Sequence, residues 1–149
     1  MRLEDFLEQD FVLNDLAARS KTEALSELAA PLGRKWPELD TATAVRVLLE
    51  RESLGTTGIG EGLAIPHGKM DALERIVIVA GRSRPGVDFD ALDGKPCHIF
   101  FLVMAPEKVV GLHLRILAHI SRLLADASFK NAFMNAQGRD GLWEFLRGY

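Results

Sequence analysis

The 149-residue sequence predicts an α/β fold, a three-layer α/β/α sandwich in which a mixed sheet of about five strands is flanked by helices. Three observations carry this expectation. Amphipathic helical patterns occupy the first third of the chain, at residues 22–32 and 41–51. Short runs dense in branched apolar residues follow, among them RIVIVA from Arg75 to Ala80 and CHIFFLVM from Cys97 to Met104. A third helical pattern with a wide apolar face then runs from Lys108 to Ala125. Helices, a strand cluster and helices again suit one sheet covered on both faces.

Taken in order, Phe11-Val12-Leu13 is dense enough for a short strand. Ala24, Leu25, Leu28, Ala29 and Leu32 recur at helical spacing, with Thr22 as a possible N-cap and Gly33 as a stop. Asp40 or Thr41 caps a second helix whose buried stripe is Ala44, Val45, Leu48 and Leu49, and whose end delivers Arg51. Arg51 lies at the border of that stripe, whereas Arg46 and Glu50 form an i, i+4 pair on the wet side. A strand from Gly62 ends near Pro66 and His67, and Arg75–Ala80 forms the next. Asp93-Gly94 signals a hairpin turn before Cys97–Met104. In the third helix Leu112, His113, Ile116, Leu117, Ile120, Leu123 and Leu124 face inward, and Arg115, His119, Arg122 and Asp126 face water. Two short helices, near 129–135 and 142–146, close the chain, with Gly138 and Gly141 between them.

The composition narrows the function. One domain spanning 1–149 is expected from the length, and 48% hydrophobic with 26% charged residues is ordinary for a globular chain. A net charge of −3 without a basic block argues against nucleic-acid binding. The longest apolar run, Ile99–Ala105, is far below the roughly 18 residues of a membrane span, and the acidic N-terminus lacks a secretory pattern. A single cysteine, Cys97, fits a reducing cytoplasm. Without a nearby activating framework it reads as a packed thiol, and His98 beside it as a hydrogen-bonded structural residue.

The stretch Gly55–Met70, GTTGIGEGLAIPHGKM, is where chemistry concentrates. It fails the P-loop pattern, because five residues separate Gly62 from Gly68 and Met70 follows Lys69. It also fails the dinucleotide fingerprint, because position 63 is Leu63. Ile59, Leu63, Ala64 and Ile65 are too apolar for a solvated linker, so the stretch reads as a shaped mount for His67, held by the conformational limits of Pro66. Imidazole is nucleophilic at one nitrogen while the other is held by a hydrogen bond. His113, in an early helical turn, would add a donor beside the positive end of a helix, and Arg51 a planar donor for phosphoryl oxygens. Metal binding is the rival use of His67 and His113, but it needs a third ligand, and no HxxxH, HExxH or CxxC spacing supplies one.

These residues resemble a known family. Glu52, then Ile59-Gly60, then Leu63-Ala64-Ile65-Pro66-His67-Gly68 is similar to the active-site signature of the fructose/mannitol-type (type 2) enzyme IIA domains of the bacterial phosphoenolpyruvate-dependent phosphotransferase system. VLLERESLGTTGIGEGLAIPHGKM, GVDFDALDGKP, the strand ending at Ala105-Pro106, and HLRILAHISRLL extend the likeness over essentially the whole chain. The resemblance implies that His67 is phosphorylated by the phosphohistidine of HPr or its nitrogen-branch relative. It implies that His113 bonds the phosphoryl group, that Arg51 balances its charge, and that no cofactor or metal is needed. Thr57, Gly58, Gly60, Gly62 and Gly68 are expected to form the phosphoryl-binding loop. The wording TTGIGEGLAIPHGKM and a free-standing chain look most like the nitrogen-related branch, whose members report phosphorylation state. A sugar-delivering protein that hands phosphate to a separate IIB is the alternative, and a non-phosphorylated binding module a more remote one. The implied location is cytoplasmic, with no membrane insertion.

Overall fold

Two long antiparallel strands form the centre of the computed structural model, which describes residues 1–149. β5 (Val77–Val87) and β6 (Cys97–Ala105) pair from Val77 opposite Met104 to Val87 opposite Cys97. Nearly every residue of both is buried, as a pair covered on both faces requires. β1 (Val12–Leu13) adds to β5 in parallel. On the other side, β3 (Leu63–Ala64) and β4 (His67–Lys69) both lie parallel to β6, one after the other along its length. β2 (Gly58–Gly60) pairs antiparallel with β3, so the sheet is mixed and has six strands. The extra strand arises because the expected 62–67 segment divides at Pro66, which has no N–H to give to a ladder. Its carbonyl instead accepts from the Val103 N–H at 2.9 Å.

The helices cover both faces. α1 (Lys21–Lys35) and α2 (Thr41–Ser53) lie on one, and α3 (Gly111–Leu124), α4 (Ala127–Asn135) and α5 (Gly138–Leu146) on the other. Side-chain alternation along β5 and β6 separates the layers. The open side of Gly81 meets Leu28 of α1, whereas Arg82 reaches carbonyls of Phe133 and Ala136 at the end of α4, and Phe101 packs on Phe133. Both layers share one contiguous core of 41 buried residues.

Several boundaries differ from expectation for local reasons. α1 is capped by Ser20, not Thr22, through a reciprocal capping box with Glu23. It runs through Gly33 to Lys35. Gly33 is a contact point, since a Cβ there would sit 2.5 Å from Thr41 Cγ2 at the start of α2. β5 starts later than Arg75 and continues to Val87, because the polar Arg82 and Ser83 are buried in the sheet. The expected turn is present: Gly94 has φ 71° and donates to the Ala91 carbonyl. α5 begins at Gly138 instead of near 142. His119, expected to face water, is half-buried with its Nε2 enclosed and unpartnered. Burial, then Arg122 and the chain's N-terminal ammonium, hold its pKa below the usual imidazole value.

Gly58 positions β2 by a close backbone approach. A Cβ there would lie 2.9 Å from Ala91 Cα. Gly58→Ala is therefore expected to push the 88–96 connection off β2 and cost about 1–3 kcal/mol, read as a lowered urea midpoint.

Candidate functional site

β4 carries the candidate nucleophile at the junction with α3. The Thr57 carbonyl accepts the Ile65 N–H at 3.1 Å, and Pro66 restricts Ile65 to extended backbone, so the Ile65 carbonyl is held in place. His67 Nδ1 donates to that carbonyl at 2.8 Å. A carbonyl oxygen only accepts, so Nδ1 carries the proton and, in the neutral ring, Nε2 is bare. His67 itself is half-buried and reachable.

Alternation along β4 decides what His67 meets. Gly68 turns toward α2, where a Cβ would lie 2.9 Å from Val47 Cγ1, and His67 and Lys69 turn to the α3 face. There His113, the third residue of α3, stacks obliquely against His67 with ring centroids 5.8 Å apart and planes at 58°. His113 is 7% exposed, and its Nε2 has no hydrogen-bond partner. A buried polar atom without a partner calls for an explanation, and a site that receives a ligand oxygen supplies one. Burial is the main cause that lowers the His113 pKa, with smaller contributions from His67 and Lys69. The first turn of α3, which contains His113, has no side-chain cap at Val110, so its N–H groups are left without a capping oxygen. Val110 and Leu114, at 58% and 61% exposure, give the site an apolar border.

The structure therefore brings together His67 and His113, with Lys69 beside them. Arg51 occupies the last turn of α2, one turn beyond Val47, and its Nη1 donates to the Gly55 carbonyl at 2.9 Å. It stands at the neighbouring loop with its guanidinium engaged there. The expected phosphoryl-binding loop is divided. Gly68 lies beside His67, but Gly60 and Gly62 form the β2–β3 turn against Asp93 and His98. Leu63 is opposite Ile99 and His67 opposite Val103, so that turn lies at least about 13 Å from His67 along β6. Gly58 faces Ala91, and Thr57 is buried with its hydroxyl given to Glu52 Oε2. The turn glycines supply left-handed backbone, φ 99° at Gly60 and 80° at Gly62. His98, as expected, is pinned by a backbone carbonyl, that of Ser83. The Cys97 thiol is pushed up to about 11 by burial.

Two features escape a reading of the sequence by motif. Lys69 could have been found, since it is two residues from His67 on a strand and so on the same face. An ion pair between Lys21 Nζ and Glu52 Oε1, 2.9 Å apart, joins residues 31 positions apart, and no local spacing signals it. His67 and His113 belong to no group of three or more His, Cys, Asp or Glu side chains placed to hold a metal ion.

The depressed His113 and His119 pKa values set a pH dependence. Each binds a proton less readily folded than unfolded, so between the lowered folded value and the ordinary value near 6.5 the unfolded chain holds more protons. Their contribution to stability is complete above pH ~6.5 and is lost as pH falls toward the folded values. Chemical denaturation from pH 7.5 to 5.5 should show decreasing stability, and His113→Gln should flatten the slope.

Fold and site together define an α/β sandwich protein whose candidate centre is an imidazole pair at a strand–helix junction. The family described as phosphoenolpyruvate-dependent sugar phosphotransferase system, EIIA 2, matches residues 5–149, and the chain belongs to it. It is 37% identical over 146 residues to the nitrogen regulatory protein of Bradyrhizobium diazoefficiens, covering 98% of this chain and 95% of that one. It is 30% identical over 146 residues to the fructose-specific EIIABC component of Bacillus subtilis, covering 98% of this chain but 23% of that longer protein. The crystal structure of nitrogen regulatory protein IIA-Ntr from Neisseria meningitidis superposes with a TM-score of 0.87 at 30% identity, over 95% of this chain and 97% of that one. No helix is long and apolar enough to cross a membrane.

Proposed function

We propose that this protein is a cytoplasmic phosphohistidine carrier that accepts a phosphoryl group from HPr, or from its nitrogen-branch relative, on His67 Nε2. The observation that carries this reading is the imidazole pair: Nδ1 of His67 committed to the Ile65 carbonyl, and His113 beside it with Nε2 unpartnered. The His67 Nε2 lone pair attacks phosphorus, the N–P bond of the donor phosphohistidine breaks, and its electron pair returns to the donor ring. Proton transfer is not needed at phosphorus, so positioning and charge balance dominate. His113, when Nε2 carries its proton, donates to a phosphoryl oxygen. Lys69 adds positive charge, and Arg51 exchanges the Gly55 carbonyl for the phosphoryl group. Gly68 leaves room on the opposite face for α2.

The names of the Bradyrhizobium and Neisseria relatives favour a regulatory role, in which the phosphorylation state is read by a target protein. Roughly two negative charges placed among Val110 and Leu114 would change that surface from an apolar docking patch to an anionic one. The fructose-specific relative favours a second reading, delivery to a separate IIB. Incubation with phosphoenolpyruvate, enzyme I and either HPr or its nitrogen-branch relative should add one acid-labile phosphoryl group per chain. No label with either donor would overturn the carrier reading. Onward transfer to a fructose- or mannitol-type IIB would select sugar delivery over regulation.

A further inference from the structure

A continuous chain of hydrogen bonds links the reacting imidazole to a buried ion pair that it does not touch. Glu52 is 7% exposed. One of its oxygens, Oε1, accepts from Lys21 Nζ at 2.9 Å and from the Thr57 N–H at 3.0 Å, and Oε2 accepts from the Thr57 hydroxyl. Thr56 Oγ1 lies 3.5 Å from Oε1, accepts from Lys21 Nζ at 3.3 Å, and accepts from the Gly58 N–H at 3.1 Å. Thr57 is thus held at both its N–H and its side chain. Its carbonyl then fixes the Ile65 N–H, and the Ile65 carbonyl takes Nδ1–H of His67. Lys21 is held in turn over the Phe89 ring, 4.9 Å from its centroid.

A buried carboxylate paired with an ammonium is costly to assemble, and a well-packed apolar pair of similar volume would often serve stability as well. What an apolar pair could not do is hold the 56–58 backbone in one register. A histidine in a carrier needs one nitrogen protonated and the other bare, and the partner of the protonated nitrogen decides which. Here that partner is the Ile65 carbonyl, whose residue has a buried side chain, an N–H bonded to Thr57 and the Pro66 ring on its other side.

We infer that Glu52, salt-bridged to Lys21, is a positioning residue that fixes the Nδ1–H tautomer of His67 through Thr57 and Ile65. It touches neither the reacting nitrogen nor the phosphoryl group. The consequence for phosphoryl transfer rests on the carrier reading above, but the tautomer itself does not.

The test compares wild type with Glu52→Gln and Thr57→Val by ¹⁵N and ¹³C NMR of the His67 ring above pH 7.5, and by phosphoryl uptake from the cognate phosphorylated HPr. Glutamine keeps the shape but cannot accept three donors while leaving Lys21 paired. Wild type should show a single Nδ1–H tautomer. Glu52→Gln should show a mixture of the two tautomers and a maximal uptake rate about tenfold or more lower, with half-saturation by donor little changed. Thr57→Val should move in the same direction by less, and it serves alone if Glu52→Gln does not fold. A folded Glu52→Gln, or failing that Thr57→Val, with an unchanged single tautomer overturns the inference even if His67 is phosphorylated normally. A shifted tautomer in Glu52→Gln while the wild type itself accepts no phosphate supports the positioning role and removes the carrier reading instead.

Discussion

His67→Ala is expected to remain folded and to accept no phosphoryl group. The two effects separate because His67 contributes little to the fold and everything to the proposed bond. Its side chain is half-buried at one end of a three-residue edge strand, and its side-chain hydrogen bond is the one to Ile65. Losing that bond should cost about 1 kcal/mol, a small part of the roughly 5–15 kcal/mol that stabilises a domain. Losing Nε2 removes the atom to which phosphorus would attach. Intact mass after incubation with phosphoenolpyruvate, enzyme I and a cognate HPr should show one added phosphoryl group in wild type and none in His67→Ala, at closely similar urea midpoints. Label retained by a folded His67→Ala would move the acceptor elsewhere. His113→Ala should still be labelled but about 10²–10³-fold more slowly, since one preorganised donor is removed while the nucleophile stays.

The parts of this molecule legible in its sequence are those set by local rules. Helical spacing located α1 and α2, and branched apolar density located β5 and β6, because both signals live within a dozen residues. The His67 mount was legible because Pro66 acts on its immediate neighbours. What was not legible depends on contacts between distant segments. Gly33 looks like a helix stop until α2 folds against it, and it then becomes the contact that lets two helices approach. Gly60 and Gly62 share a motif with His67, yet β3 and β4 run one after the other along β6 and carry the turn and the histidine to different ends. His119 falls on the polar stripe of its helix, but the stripe is partly covered, with the N-terminal ammonium near enough to lower its pKa. Arg82 shows the same limit most clearly, since it lies beyond the expected strand end at Ala80 and proves to be among the most buried residues.

Arg82→Met is expected to lower stability far more than His67→Ala does. The side chain is 1% exposed, and no carboxylate lies within salt-bridge distance of it. Its Nε donates to the Asn14 carbonyl at 3.0 Å, and Nη1 to the carbonyls of Phe133 and Ala136 at 2.9 and 2.8 Å. One guanidinium thus ties the segment after β1 to the C-terminal end of α4, where cation and helix dipole attract. Burial is the chief cause that holds its pKa below the usual arginine value, with Arg84 adding to the effect and Asp15 opposing it. Methionine fills most of the volume and relieves the burial of charge, but it leaves three carbonyls without a donor in a space closed to bulk water. The desolvation of those oxygens outweighs the relief, for a net cost of about 3–5 kcal/mol. Lysine should recover part of this, because an ammonium can reach some of the three acceptors but lacks the planar fork that spans them. Urea unfolding should show the midpoint fall for Arg82→Met and lie between the two for Arg82→Lys. Arg82 pairs with Ile99 on β6, four residues from the Val103 that faces His67, so phosphoryl uptake per folded molecule should be unchanged in both variants. A loss below about 1 kcal/mol for Arg82→Met would mean that water or a backbone shift satisfies the carbonyls, and that the arginine is not what joins the two layers.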